Sequence, residues 1–160
     1  MLEMTEDRYA LEDIATDNNI DAGLFIPFTI ARLLGLAEDA REVVLSVTLV
    51  DVEEMGVSGR HLRLRWSAQS ASTAVEALQE HTVTEFAACG VACVVTPLYA
   101  RLKVLRVAQV GDRFDYWLGD EEGEMGLEVS GTKTGTFLTC MRRRPANCVR
   151  IPSVWTATSA

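Results

Sequence analysis

The segment 81–100 constrains this chain more than any other. Val83, Phe86, Ala87, Gly90, Val91, Val94, Val95 and Leu98 recur at spacings of three and four, which predicts the principal helix, bent or ended at Pro97. Alanine, glycine and cysteine crowd this stretch, so the helix can lie close against a sheet. Cys89 and Cys93 are read as part of that packing and not as metal ligands, because no second Cys/His pair stands at a ligand-like spacing. With 160 residues, 48% of them hydrophobic, one folded domain is expected around this helix. Four cysteines in such a chain are expected to be reduced thiols, which points to the cytoplasm. The opening MLEMTEDRYALED lacks the basic and apolar regions of a signal peptide. The charge-free stretch 86–100 is shorter than the ~18–20 residues of a membrane span, so no membrane association is expected.

The remaining elements follow from pattern. Residues 1–19 are acidic and poorly periodic, ending in Asp17-Asn18-Asn19, and are read as a frayed or weakly helical leader. Pro27 opens a short helix carrying Phe28, Ile30, Ala31, Leu33 and Leu34, with Gly35 at its end. Residues 43–52 and 61–66 alternate as strands around a turn at 56–59 and predict a β-hairpin. Three more strands are expected at 101–110, 113–118 and 125–131, with at most a short helix and a strand after them. The predicted fold is α+β: a mixed β-sheet packed on one main helix, with an N-terminal β-hairpin and short helix. Residues 20–160 form the domain, comprising a hairpin region at 20–70 and a core at 80–155.

The net charge is −8, which disfavours nonspecific binding to nucleic acid. The average hides a split, since residues 1–59 hold 13 acidic and 3 basic side chains and residues 60–160 hold 10 acidic and 12 basic ones. Any polyanion partner is therefore expected on the basic C-terminal half, at Arg101, Lys103, Arg106 and Arg113 or at Arg142, Arg143, Arg144 and Arg150. The bland alternative is solvated strand faces and a basic tail.

The stretch that could carry chemistry is Gly111-Asp112-Arg113-Phe114-Asp115-Tyr116-Trp117-Leu118, a loop GDEEGE, and Leu127-Glu128-Val129-Ser130-Gly131. A hairpin centred between Glu121 and Glu122 sets Asp115 opposite Glu128 on one face and pairs Phe114 with Val129 and Tyr116 with Leu127 on the other. Two carboxylates about 5 Å apart at Cβ are unfavourable unless a divalent cation, a shared proton or a nearby arginine such as Arg106 or Arg113 compensates.

A helix glutamate (Glu85), then Gly111-x-x-x-Asp115, then Glu128-Val129-Ser130 resembles the core of the PD-(D/E)XK nuclease-like superfamily, over roughly residues 80–135. The resemblance implies a Mg²⁺ or Mn²⁺ held by Asp115 and Glu128, with Glu85 assisting through water and nucleic acid as the substrate. The family's lysine is replaced by Ser130, which cannot supply a positive charge; Lys133 is the candidate replacement, with Arg142 or Arg143 behind it. A degenerate copy that binds without cutting fits the same residues. The alternative from a different class is a noncatalytic interaction module, acting as a homo-oligomer or with a partner protein in a larger assembly. A third is a small-molecule enzyme using the acidic pair as acid and base. Ser130-Gly131-Thr132-Lys133-Thr134-Gly135 contains both S-x-x-K and K-T-G, but those boxes belong on separate elements. His61, His81, Trp66, Trp117 and Trp155 are read as surface or packing residues.

Overall fold

In a computed structural model of the protein, residues 6–34, 41–51, 55–67, 73–120, 123–132, 137–143, 148–149 and 156–158 are described. The fold is α+β. The predicted main helix is α4 (Glu80–Val95), continued by a π turn at Thr96–Ala100. Pro97 lacks the N–H that an α-helix needs, and the helical run stops at Arg101, which adopts φ 56°. α4 lies between two elements. On one side is α2 (Ile26–Leu34), on the other β6 (Gly123–Gly131). Ala87, Ala88, Val91, Ala92 and Val94 are all at most 1% exposed, so the small-residue stripe is what lets both neighbours approach. α4 with its π turn is apolar and long enough to cross a bilayer by composition, yet 61% of its most apolar window is buried inside the fold. Its apolarity is accounted for by this packing.

The strands form two sheets, with the N-terminal hairpin in the first. The first has the order β1-β3-β2-β9 and the second the order β4-β5-β6-β7-β8. In the first, β2 (Glu42–Asp51) and β3 (Gly56–Arg65) form the predicted hairpin. The turn read at 56–59 is shifted, because Gly56 to Gly59 already pair with Asp51 to Thr48. Leu45, Val47, Leu62 and Leu64 enter the core, while Arg63 stays on the outer face and bridges Glu6 at 2.8 Å and Glu42 at 2.7 Å. β9 (Thr156–Thr158) pairs antiparallel with β2.

The leader reading is corrected. Residues Glu6–Ala10 form β1, which pairs parallel with β3, and Leu11–Asp13 runs as a 3₁₀ turn into α1 (Ile14–Asp17). Leu11 and Ile14 are fully buried. Short elements carry too few repeats for periodicity to reveal them, and their stability comes from tertiary packing. α3 (Thr73–Glu76) is a single turn.

The second sheet is an antiparallel meander of β4 (Lys103–Val107), β5 (Tyr116–Asp120), β6, β7 (Phe137–Arg143) and β8 (Cys148–Val149). β7, β8 and β9 stand where at most a short helix and a strand were expected. Leu118 and Leu127 are fully buried, and Leu127 joins the same core cluster as Val91 and Val94.

Candidate binding cleft between α4 and the second sheet

The β5–β6 hairpin has the predicted register: Tyr116 faces Leu127, Trp117 faces Gly126 and Asp120 faces Gly123. The ladder ends at Tyr116, one residue before the acidic pair. There the chain departs from alternation, because Asp115 N–H donates to Leu127 O at 2.8 Å and Asp115 O accepts from Ala108 N–H at 2.9 Å. Arg113 enters the left-handed region at φ 62°. Phe114 consequently crosses to the face away from α4 instead of meeting Val129. Its ring packs on Gly126, where a Cβ would lie 2.5 Å from the ring, and meets Trp117 edge-on at 4.8 Å between centroids. Arg106 completes that outer face, over Trp117 at 4.7 Å and paired with Glu124 at 3.0 Å. Of the two arginines considered as partners of the acidic pair, Arg106 is therefore engaged with Glu124.

Asp115 turns its carboxylate along the end of the sheet, where Oδ2 accepts the Val129 N–H at 2.7 Å. That places it on a cleft of about 640 Å³ between α4 and the sheet. Glu80, His81 and Glu85 line it from the first turns of α4, and His81 Nε2 stands 3.2 Å from Glu85. Phe86, Cys89, Tyr116, Val107 and Val129 add apolar wall, and Ser130 and Gly131 at the end of β6 also line it. Arg32 on α2 fixes the helix end of the rim: its guanidinium donates to Glu80 O at 3.0 Å and to Thr84 Oγ1 at 2.6 Å.

Of the predicted site residues, Glu85 and Asp115 meet in this cleft. Glu128 does not line it; alternation with fully buried Leu127 directs it to the opposite, exposed face. Lys133 lies outside the described residues. Among the described residues no three His, Cys, Asp or Glu side chains converge so as to hold a metal ion. Asp115 and Glu128, the pair that the resemblance implies, do not both line this cleft. Of the basic residues, Arg101, Lys103 and Arg113 are exposed, while the side chains of Arg142, Arg143, Arg144 and Arg150 fall outside the description.

Cys89, which lines the cleft, is not an activated nucleophile. Burial pushes the Cys89 thiol up to about 11, and the Asp115 and Glu85 charges act in the same direction, against a lowering by the hydrogen bond that Tyr116 donates at 3.2 Å. Burial likewise pushes Cys93 up to about 12 and raises Tyr116. Both thiols are protonated at neutral pH and are weak nucleophiles there. This has a consequence for stability. An unfolded chain releases these protons near pH 9 whereas the native chain keeps them, so above pH 9 the unfolded state binds fewer protons and stability falls as pH rises toward 11. Each buried thiol contributes a loss of up to about 1.4 kcal/mol per pH unit in that window. The urea midpoint is expected to be lower at pH 10.5 than at pH 8, and an unchanged midpoint would contradict the protonated thiols.

Sequence reasoning missed Glu80, Tyr116, Cys89 and the β6 backbone as parts of one site. Glu80 and Glu85 lie five residues apart, a spacing that does not place them on one helix face, so no pattern in the sequence joined Glu80 to the site. The contribution of Tyr116 and Ser130 depends on where the β5 ladder ends, which no local pattern specifies. No protein-family model, curated protein or solved structure matches this chain.

Proposed function

We propose that this chain is a cytosolic, noncatalytic interaction module that takes a positively charged group of a partner into the cleft between α4 and the second sheet. The observation that carries this reading is the composition of the cleft: Glu85 and Asp115, with Glu80 beside the Arg32 guanidinium at 3.6 Å, stand around an apolar wall of Phe86, Val107 and Val129. Carboxylates held beside low-dielectric walls focus a negative potential into the space between them, which draws in cations and repels phosphodiesters. Asp115 Oδ2 accepts the Val129 N–H, and Oδ1 makes no side-chain hydrogen bond among the described residues.

The test is an NMR titration with a doubly blocked lysine, N-acetyl-lysine methylamide, at low salt. Shifts are expected at the amides of residues 80–89, 115–116 and 129–131, and not with the uncharged norleucine analogue. Glu85→Gln and Asp115→Asn should each weaken binding roughly two- to fivefold, the effect of one partly screened rim charge. Asparagine can still accept the Val129 N–H, so the strand end is preserved. Equal shifts from lysine and norleucine, or none from either, would remove the charge reading. Mn²⁺-dependent cleavage of a labelled duplex, lost in Asp115→Asn, would reinstate the nuclease-like reading in its place.

A further inference from the structure

We infer that the cation arrives on an extended peptide of a separate protein, which adds to the second sheet along the end of β6; this rests on the interaction reading above. β5 stops at Tyr116, whereas β6 runs on to Gly131. Leu127 accepts from Asp115 N–H and Val129 donates to Asp115 Oδ2, so both residues direct their backbone groups to the β5 side. The two-residue period of a strand turns those of Gly131 the same way. Among the described residues, no group pairs with Val129 C=O or Gly131 N–H on that side. The Asp115 carboxylate occupies the position in which the carbonyl of a neighbouring strand would accept from Val129. Val129, Ser130 and Gly131 all face the cleft, so the vacant edge lies inside it.

Strand addition takes its affinity from backbone pairing and its specificity from the pockets that alternate side chains meet. Here those pockets are the apolar wall at Phe86 and Val129 and the carboxylates of Glu80, Glu85 and Asp115. The segment that fits alternates β-branched and basic residues. The chain's own basic run does not supply it, because Arg142 and Arg143 belong to β7 and pair with Gly126 and Met125 of β6. That run is committed within its own sheet.

The probe is the blocked pentapeptide Val-Lys-Val-Lys-Val, used with the full chain and followed by the same amide shifts. Two copies N-methylated at alternate residues, in the two opposite phases, separate pairing from charge. One phase is expected to bind about tenfold more weakly than the parent, the loss of one or two backbone hydrogen bonds, and the other to bind like the parent. Val-Asp-Val-Asp-Val should not bind. If both methylated phases bind like the parent, strand addition is overturned while the charge reading stands; if neither the pentapeptide nor the blocked lysine binds, both fall. Concentration-dependent self-association of the chain that produces the same shifts without any peptide would assign the cleft to a second copy and overturn the separate partner.

Discussion

Gly90→Ala is expected to destabilise the fold by about 2–3 kcal/mol, although the same exchange at an exposed helix position gains roughly 1 kcal/mol from backbone entropy. The sign is decided by what a methyl group meets. A Cβ at residue 90 would lie 2.0 Å from Thr29 Oγ1 and 3.3 Å from the Cβ atoms of Phe25 and Thr29. Thr29 is fully buried, and its hydroxyl donates to Phe25 O at 2.9 Å. Rotating it away breaks that bond inside the core. The alternative is for α2 to retreat from α4, which loses close contacts along the whole helix pair. Against a total stability on the order of 5–15 kcal/mol, such a loss is large. Urea unfolding measures it, and a double-mutant cycle with Thr29→Ala identifies the cause. Removing the hydroxyl opens the space the new methyl needs, so the double variant should be more stable than the sum of the single effects by about 1–2 kcal/mol. A neutral or stabilising Gly90→Ala would mean that the helices are not in this close contact.

The same contact shows why some of the fold was legible and some was not. The small residues of α4 announced a close approach, because a helix rich in Gly, Ala and Cys has no other use for that shape. The β5–β6 register was legible too, since a turn fixed at Glu121 and Glu122 and a strict alternation leave one pairing. Beyond Tyr116 that logic fails. The backbone of Asp115 bonds to both Ala108 and Leu127, two segments distant in sequence, and these bonds turn its carboxylate away from the face that alternation assigns to Glu128. Glu85 and Asp115 could be singled out as acids with a shared site, while the third acid of the cleft, Glu80, could not be told from any other carboxylate in a helix's first turn. The burial of Leu11, Ile14 and Asn18 was equally hidden. Leu11 and Ile14 offer one helical interval, too little for a period, and the polar side chain that ties this segment to the core reads in sequence as a turn residue.

That side chain is Asn18, and its replacement is expected to have the second large effect. Asn18 is 6% exposed and makes three hydrogen bonds: Nδ2 donates to Ile14 O at 3.1 Å and to Cys93 O at 3.0 Å, and Oδ1 accepts from Val104 N–H at 3.0 Å. Asn19 N–H then donates to Val104 O at 2.8 Å. The two asparagines thus pair with both backbone groups of Val104 on the edge strand of the second sheet, standing in for a neighbouring strand and closing that edge. Asn18→Ala strands the Val104 N–H and removes the donor to Cys93 O, at a cost of about 2–4 kcal/mol. Asn18→Asp separates hydrogen bonding from packing, because it keeps the shape but replaces the donor with an acceptor facing two carbonyl oxygens. At pH 7 it should therefore be at least as damaging as alanine. Its introduced carboxyl, disfavoured as an anion there, acquires a folded-state pKa above the ordinary value near ~3.9. In that window the native state binds more protons than the unfolded chain, so the aspartate variant is less stabilised as pH rises and should recover between pH 7 and pH 5, where the alanine variant should not. Urea midpoints of the two variants at both pH values decide it. An aspartate variant as stable as the parent at pH 7 would show that Nδ2 does not hold the leader, α4 and β4 together.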